Sequence, residues 1–352
     1  MALGVFSPAG QPPRVGRREG DRVLDLAAVG PAILARPSLN ALMAAGPEVN
    51  AEVAAIADAP DFALADVQLH LPFQVADYAD FYSSLHHATN VGRMFRPDKD
   101  PLPPNWRHLP LGYHGRAGTV VPSGTPIRRP HGQTGPGEFG PTQRLDVELE
   151  LGFVIGRPSR LGEPVPVERA LDHVFGAVLL NDWSARDLQA WEYQPLGPFL
   201  GKSFATSISA WVTPLAALEP LRVAAPAQEP EPLPYLREPA WAYDLALAVE
   251  LNGATVAETS ARHLYWTPAQ MIAHMTANGA SLRTGDLLGS GTISGPERTQ
   301  RGSLIELCWN GAEPIELPGG ATRCFLEDGD EVVLRGAPLG AVAGRILPAR
   351  GA

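Results

Sequence analysis

The chain has 352 residues, 45% of them hydrophobic and 19% charged, with a formal net charge of −10 at pH 7. That length allows one large domain or two, and the apolar share excludes a disordered chain. The acidic balance argues against nucleic acid as the main partner, because phosphate binding needs basic surface. Anionic substrates stay open, since a local cluster of Arg and Lys overrides the global sign. Pro and Gly, 36 each, predict many turns and short strands. Two cysteines, Cys308 and Cys324, in no C-x-x-C spacing argue against a disulfide scaffold and a zinc–thiolate centre. No apolar leader core and no membrane-length run is present, so a cytoplasmic protein without a membrane partner is expected.

In chain order, GVFS and RVLDL read as short strands around a Pro/Gly/Arg-rich turn, and ALMAAG and AEVAAIADA as short helices. Residues 1–70 form a small module with no evident chemistry, and a second domain begins at Leu71-Pro72-Phe73. The stretch from Asp77 to Gln133 then crowds together Asp80, Tyr82, His86, His87, Asn90, Arg96, Tyr113, His114 and Arg116. It reads either as a long solvated loop with satisfied histidines or as a functional loop region.

The segment LDVELELGFVI alternates, with Asp146, Glu148 and Glu150 on one face and Leu145, Val147, Leu149 and Leu151 on the other. Such a face is either a solvated polar edge or, since like charges in a row repel, a seat for a cation. An apolar strand then ends at Asn181-Asp182 and a helix follows. On its 3.6-residue period Asp182, Arg186, Gln189 and Tyr193 share one stripe, with Leu188 and Trp191 free to pack behind. Gly197-Pro-Phe-Leu-Gly201-Lys202 is not a phosphate loop. Only three residues separate the glycines, and Pro198 lacks an N–H. Lys202 is therefore a positioned cation or an ordinary surface lysine.

Thr213 to Ala240 is a Pro-rich surface excursion. YDLALAVELNG reads as a strand closed by an Asn-Gly turn, and Thr267 to Met275 as a helix with Pro268 in its first turn. Gly289, Gly291 and Gly295 make a tight loop around Thr292. Glu306 falls in the strand-like run SLIELCW, either on a wet face or partnered in the interior.

Several of these stretches carry one pattern: DFYSS (Asp80–Ser84), HATNVG (His87–Gly92), GYHGR (Gly112–Arg116), SGTPIRRP (Ser123–Pro130) and NDWSARDLQAWEY (Asn181–Tyr193). The chain resembles the fumarylacetoacetate hydrolase family over nearly its whole length. It departs at Leu85-His86, where Arg-Gln is expected, and at Ala205 in place of a glycine. The resemblance implies a mainly β protein with some α. It further implies a small SH3-like N-terminal domain (residues 1–70) before a mixed β-sandwich roll (residues 71–352), and a homodimer.

The resemblance also implies an activity, metal-dependent C–C bond hydrolysis of a dianionic β-diketone. His87 is the general base, oriented by Glu306, and Arg186, Gln189 and Lys202 stabilise the oxyanion. Asp80, Glu148, Glu150 and Asp182 bind Ca2+; Lys202 and Thr206 join Asp182 near a Mg2+-type site. Four carboxylates and no soft ligand suit such hard cations. Tyr82, Arg96, Tyr113, Gln189, Tyr193 and Thr292 match the substrate-binding positions. The alternatives are an acylpyruvate hydrolase or β-keto acid decarboxylase of the same superfamily, or a non-catalytic binding protein on this fold. Retention of His87, Glu306 and Lys202 together argues against the last.

Overall fold

Ala2–Pro8, the first strand, buries all seven of its residues, which requires partners on both edges. The structure, a computed structural model that describes residues 2–351, provides them. Arg14–Glu19 and then Arg22–Leu24 follow as antiparallel neighbours on one side. On the other side Ala2–Pro8 pairs with Trp211–Pro214, Leu3 opposite Val212. Gly4 is needed there, because a Cβ would meet the Ala210 carbonyl oxygen at 2.5 Å. The expected turn before RVLDL is thus largely a strand. Its arginines are accommodated by ion pairs: Arg14 with Asp25 and Arg17 with Glu19. ALMAAG and AEVAAIADA supply the helices Asn40–Ala44 and Pro47–Ala54.

Beyond Trp211–Pro214 the same sheet continues through Val174–Asp182, Leu149–Ile155, Leu287–Gly289, Tyr78–Phe81 and Gly112–His114. A second, five-stranded sheet runs Ala254–Ser260, Ala246–Leu251, Glu331–Gly336, Gly340–Leu347 and Ile127–Arg128. The expected Asn-Gly turn joins the first two, with Asn252 and Gly253 at φ 51° and 79°, as a two-residue hairpin loop requires. One apolar cluster, from Leu149 and Phe153 to Val249, Leu334 and Val342, spans both sheets. The architecture is mostly β with some helix.

Three local expectations fail in instructive ways. LDVELELGFVI is not one half-wet strand: Leu145–Asp146 and Leu149–Ile155 are separate strands, and every residue from Leu145 to Ile155 is buried. Alternation there reports two buried faces, one of them acidic. Glu306 lies not in a strand but in the short helix Leu304–Leu307. The carboxylate of Asp146 accepts hydrogen bonds from the Leu304 and Ile305 N–H groups at 2.8 and 3.2 Å and so starts that turn. The helix after Asp182 spans Arg186–Glu192 and buries Leu188, but Trp191 remains 47% exposed. Pro268–Thr276 is helical as expected and opens on a Thr267/Gln270 capping box.

Candidate active site

The His87 arm is built by a cap. Ser84 Oγ accepts from the His87 N–H at 3.3 Å and starts the helix Leu85–Phe95. His87 and, three residues on, Asn90 then share one buried face. His87 Nδ1 lies 2.6 Å from Glu306 Oε2. Asn90 Nδ2 donates to Glu306 Oε1 at 2.9 Å, and the Ser294 and Ser303 hydroxyls donate to Oε2 at 2.9 and 2.7 Å. Burial pushes the Glu306 carboxyl up, but His87 and these donors outweigh it and hold its pKa at about 2. An ionised Glu306 only accepts, so the His87 proton sits on Nδ1 and Nε2 keeps its lone pair. Tyr82 meets the His87 ring edge-on at 5.4 Å between centroids. His86 turns away, against His263.

The acidic arm comes from neighbouring strands. Asp80 sits opposite Gly289, which pairs with Gly152, while Glu150 lies opposite Leu180, two residues before Asp182. Ligand oxygens of Asp80, Glu148, Glu150 and Asp182 all lie within 4.8 Å of one another, and all four residues are buried. Gly289 leaves them room: a Cβ would stand 2.5 Å from Asp80 Oδ1 and 3.0 Å from Glu150 Oε2.

Two cations reach this cluster. Lys202 Nζ donates to Glu148 and, at 2.7 Å, to Asp182; Arg186 Nη1 lies 2.7 Å from Glu148 Oε1 and 3.2 Å from Gln189 Oε1. Burial opposes the Glu148 charge, yet Lys202 and Arg186 hold its carboxyl below the usual carboxylate range. Asp182 also accepts from Tyr113 and Thr206, each at 3.0 Å. Neither Asp80 nor Glu150 has an ion-pair partner, and Glu150 Oε2 accepts only from the Gly291 N–H at 3.0 Å. Burial and the neighbouring acids push both well up, and Asp80 Oδ1 and Glu150 Oε1 accept no hydrogen bond. Buried carboxylate oxygens left over in an all-oxygen donor set fit a hard divalent cation.

Both arms open on a cavity of about 410 Å³ lined by His87, Arg96, Arg186, Gln189, Lys202 and Thr292, with Tyr82, Tyr113 and Tyr193 completing its wall. Arg186 Nη2 and Thr292 Oγ1, in residues of this wall, are buried without a protein partner. Asp80 and Glu148 reach this cavity; Glu150, Asp182, Thr206 and Glu306 stand behind its wall. The sequence reading did not anticipate the tasks of Asn90, Ser294, Ser303 and Asp146. Helical spacing from His87 was a usable signal for Asn90; the others act across long sequence separations.

A mixed β fold that seats a His–Glu pair beside a buried acidic cluster defines an enzyme whose site can hold a metal ion. A family profile described as "Fumarylacetoacetate (FAA) hydrolase C-terminal" matches residues 77–347. Fumarylacetoacetase of Homo sapiens is 46% identical over 399 aligned positions, covering 99% of this chain and 95% of that protein. The Arabidopsis thaliana fumarylacetoacetase is 43% identical, covering 99% of this chain and 94% of that protein. The 399 positions exceed the 352 residues here, so the human relative carries insertions that this chain lacks. Among solved structures, a fumarylacetoacetate hydrolase from Exiguobacterium antarcticum superposes with a TM-score of 0.64 at 19% identity, covering 99% of this chain and 100% of the other. A maleylpyruvate hydrolase from Sphingobium sp. SYK-6, in complex with manganese (II) ion and pyruvate, gives 0.61 at 17%, with the same coverage. The chain belongs to the fumarylacetoacetate hydrolase family.

Proposed function

We propose that this protein hydrolyses the C–C bond of 4-fumarylacetoacetate to fumarate and acetoacetate, the last step of tyrosine and phenylalanine catabolism. The observation that carries the reading is the His87 Nδ1–Glu306 contact of 2.6 Å, which leaves Nε2 as a base on the wall of a cavity that also presents Arg186 and Lys202. Near full-length identity to fumarylacetoacetases supports the substrate.

His87 Nε2 takes a proton from water, and the hydroxide adds to the carbonyl carbon that becomes the fumarate carboxyl. Glu306 stabilises the resulting imidazolium. The alkoxide oxygen accepts from the free Arg186 Nη2, with Gln189 and Lys202 alongside. Lys202 suits this role because Asp182 and Glu148 overcome the burial penalty and keep its ammonium charged. When the tetrahedral intermediate collapses, the C–C electron pair leaves on the acetoacetate carbon, which takes the imidazolium proton, and the former carbonyl carbon becomes the fumarate carboxyl. Arg96, Tyr82, Tyr113, Tyr193 and Thr292 anchor the dianion, Arg96 with its planar fork.

Asp80, Glu148, Glu150 and Asp182 would hold Ca2+ or Mg2+, which supplies Lewis acidity toward the paired oxygens of a β-diketone. Lys202 and Thr206, both bonded to Asp182, are the side chains a neighbouring Mg2+-type site would use. Residues 1–70 are read as the SH3-like domain, and the protein as a cytoplasmic homodimer without nucleic-acid or membrane partners. Exposed Leu196, Phe199 and Leu200 offer apolar surface for a subunit contact. The net charge of −10 weighs against nucleic acid.

The test is steady-state turnover on fumarylacetoacetate and on acylpyruvates. Fumarate and acetoacetate in equal amounts, with the higher kcat/KM on fumarylacetoacetate, is the expected result. Preference for an acylpyruvate overturns the substrate assignment.

A further inference from the structure

Asp146 shares the acidic face of LDVELE with Glu148 and Glu150 but takes no part in the acidic cluster. Its side chain is fully buried and accepts four hydrogen bonds. Oδ2 accepts from Arg186 Nε at 2.8 Å and from the Ile305 N–H at 3.2 Å. Oδ1 accepts from the N–H groups of Leu304 and Val147, both at 2.8 Å. One carboxylate thus holds two catalytic arms. On one side it grips the guanidinium by Nε while Glu148 and Gln189 take Nη1, which fixes the plane and leaves Nη2, buried in the wall of the cavity that Arg186 lines, without a protein partner. On the other it starts the turn that carries Glu306 and, through it, His87.

We propose that Asp146 is a positioning residue that keeps the oxyanion donor, Arg186 Nη2, in register with the His87–Glu306 base. The inference rests on the hydrolase reading above. Asp146 is fully buried and does not line the cavity; it acts through the two arms it joins. A planar guanidinium held at Nε and Nη1 has no rotation left, so its remaining donor is aimed before substrate arrives. Asparagine is isosteric but cannot serve. It offers one acceptor oxygen and places an NH2 against donors, which breaks either the Arg186 and Ile305 contacts made by Oδ2 or the Leu304 and Val147 contacts made by Oδ1.

The experiment compares D146N, R186A and the double variant on fumarylacetoacetate, beside the wild type. D146N is expected to lower kcat about 100-fold, the loss typical of one oxyanion donor, with KM changed by less than about threefold. In the R186A background D146N should cost clearly less than it does alone, because its route through Arg186 is already gone and only its hold on the Glu306 turn is left to lose. Bound divalent metal should stay at the wild-type level in D146N. Full additivity of the two substitutions, unchanged kcat, or lost metal overturns the inference. Should D146N fail to fold, R186K decides: it keeps the charge beside Glu148 but has neither Nε nor Nη2. R186K as slow as R186A sustains the proposal, and wild-type kcat overturns it. A wild-type protein without turnover overturns the hydrolase reading and this inference with it; turnover with a normal D146N removes only the inference.

Discussion

His86 and His87 are adjacent in sequence, but helical geometry sends them to different environments. His87 enters the interior against Glu306, and His86 rests half-buried against His263. His87→Ala should therefore lower kcat by about 100-fold or more, the usual worth of a positioned general base. His86→Gln, which restores the family residue, should change kcat and KM little; equal losses in both variants would assign the base to the wrong histidine. Glu306 makes a second prediction. Its pKa falls from 4.5 to about 2 on folding, so its charged form stabilises the fold above pH 4.5. That contribution drains away as pH falls toward 2. Glu306→Gln lacks it, and unfolding free energy measured across this window should fall less steeply with acid in the variant than in the wild type. Parallel curves would show that Glu306 contributes nothing to acid sensitivity. The residue types of this site were legible in the sequence. The partners of Glu306 were less so, because Ser294 and Asn90 meet it only after folding.

Among the elements, the acidic strand shows where legibility stops. Alternation marked Glu148 and Glu150 correctly as one face, but a burial pattern cannot be read from a single strand. What meets that face, Asp80, Arg186 and Lys202, comes from other elements of the chain. Leu304–Leu307 was misread for a related reason. Ile305 and Trp309 favour a strand locally, and the turn depends on a carboxylate 158 residues earlier. Gly289 is where the element geometry is tightest, since its missing side chain is the space the carboxylates occupy. Gly289→Ala should fold yet bind divalent metal at least about tenfold more weakly, within the range seen when a supporting group of a metal site is lost. Gly140→Ala, where a Cβ meets nothing within 4 Å, is the matched control. Titration calorimetry giving the same metal Kd for Gly289→Ala and Gly140→Ala would refute the steric account.

For the molecule as a whole, four buried carboxylates against two buried cations destabilise the empty site by mutual repulsion. An ion bound only by the folded chain adds about 2.7 kcal/mol at a hundredfold excess over its Kd. Exhaustive chelation should therefore abolish turnover and lower Tm, with Ca2+ or Mg2+ restoring both; full turnover in metal-free protein would end the metal-assisted reading. The broad architecture was legible because turn residues and short apolar runs recur along the chain. The joining of the first strand to the main sheet was not, because Leu3 finds Val212 only across some two hundred residues. That pairing has a consequence for synthesis on the ribosome. Until Trp211 and Val212 have emerged, Ala2–Pro8 can pair with Arg14–Glu19 on one edge and, from Phe6 to Pro8, with Val67–Leu69 on the other, but the far edge at Leu3 and Gly4 stays open. For most of its translation the nascent chain thus displays an apolar strand edge, the kind of surface that chaperones shield and that seeds aggregation when they do not.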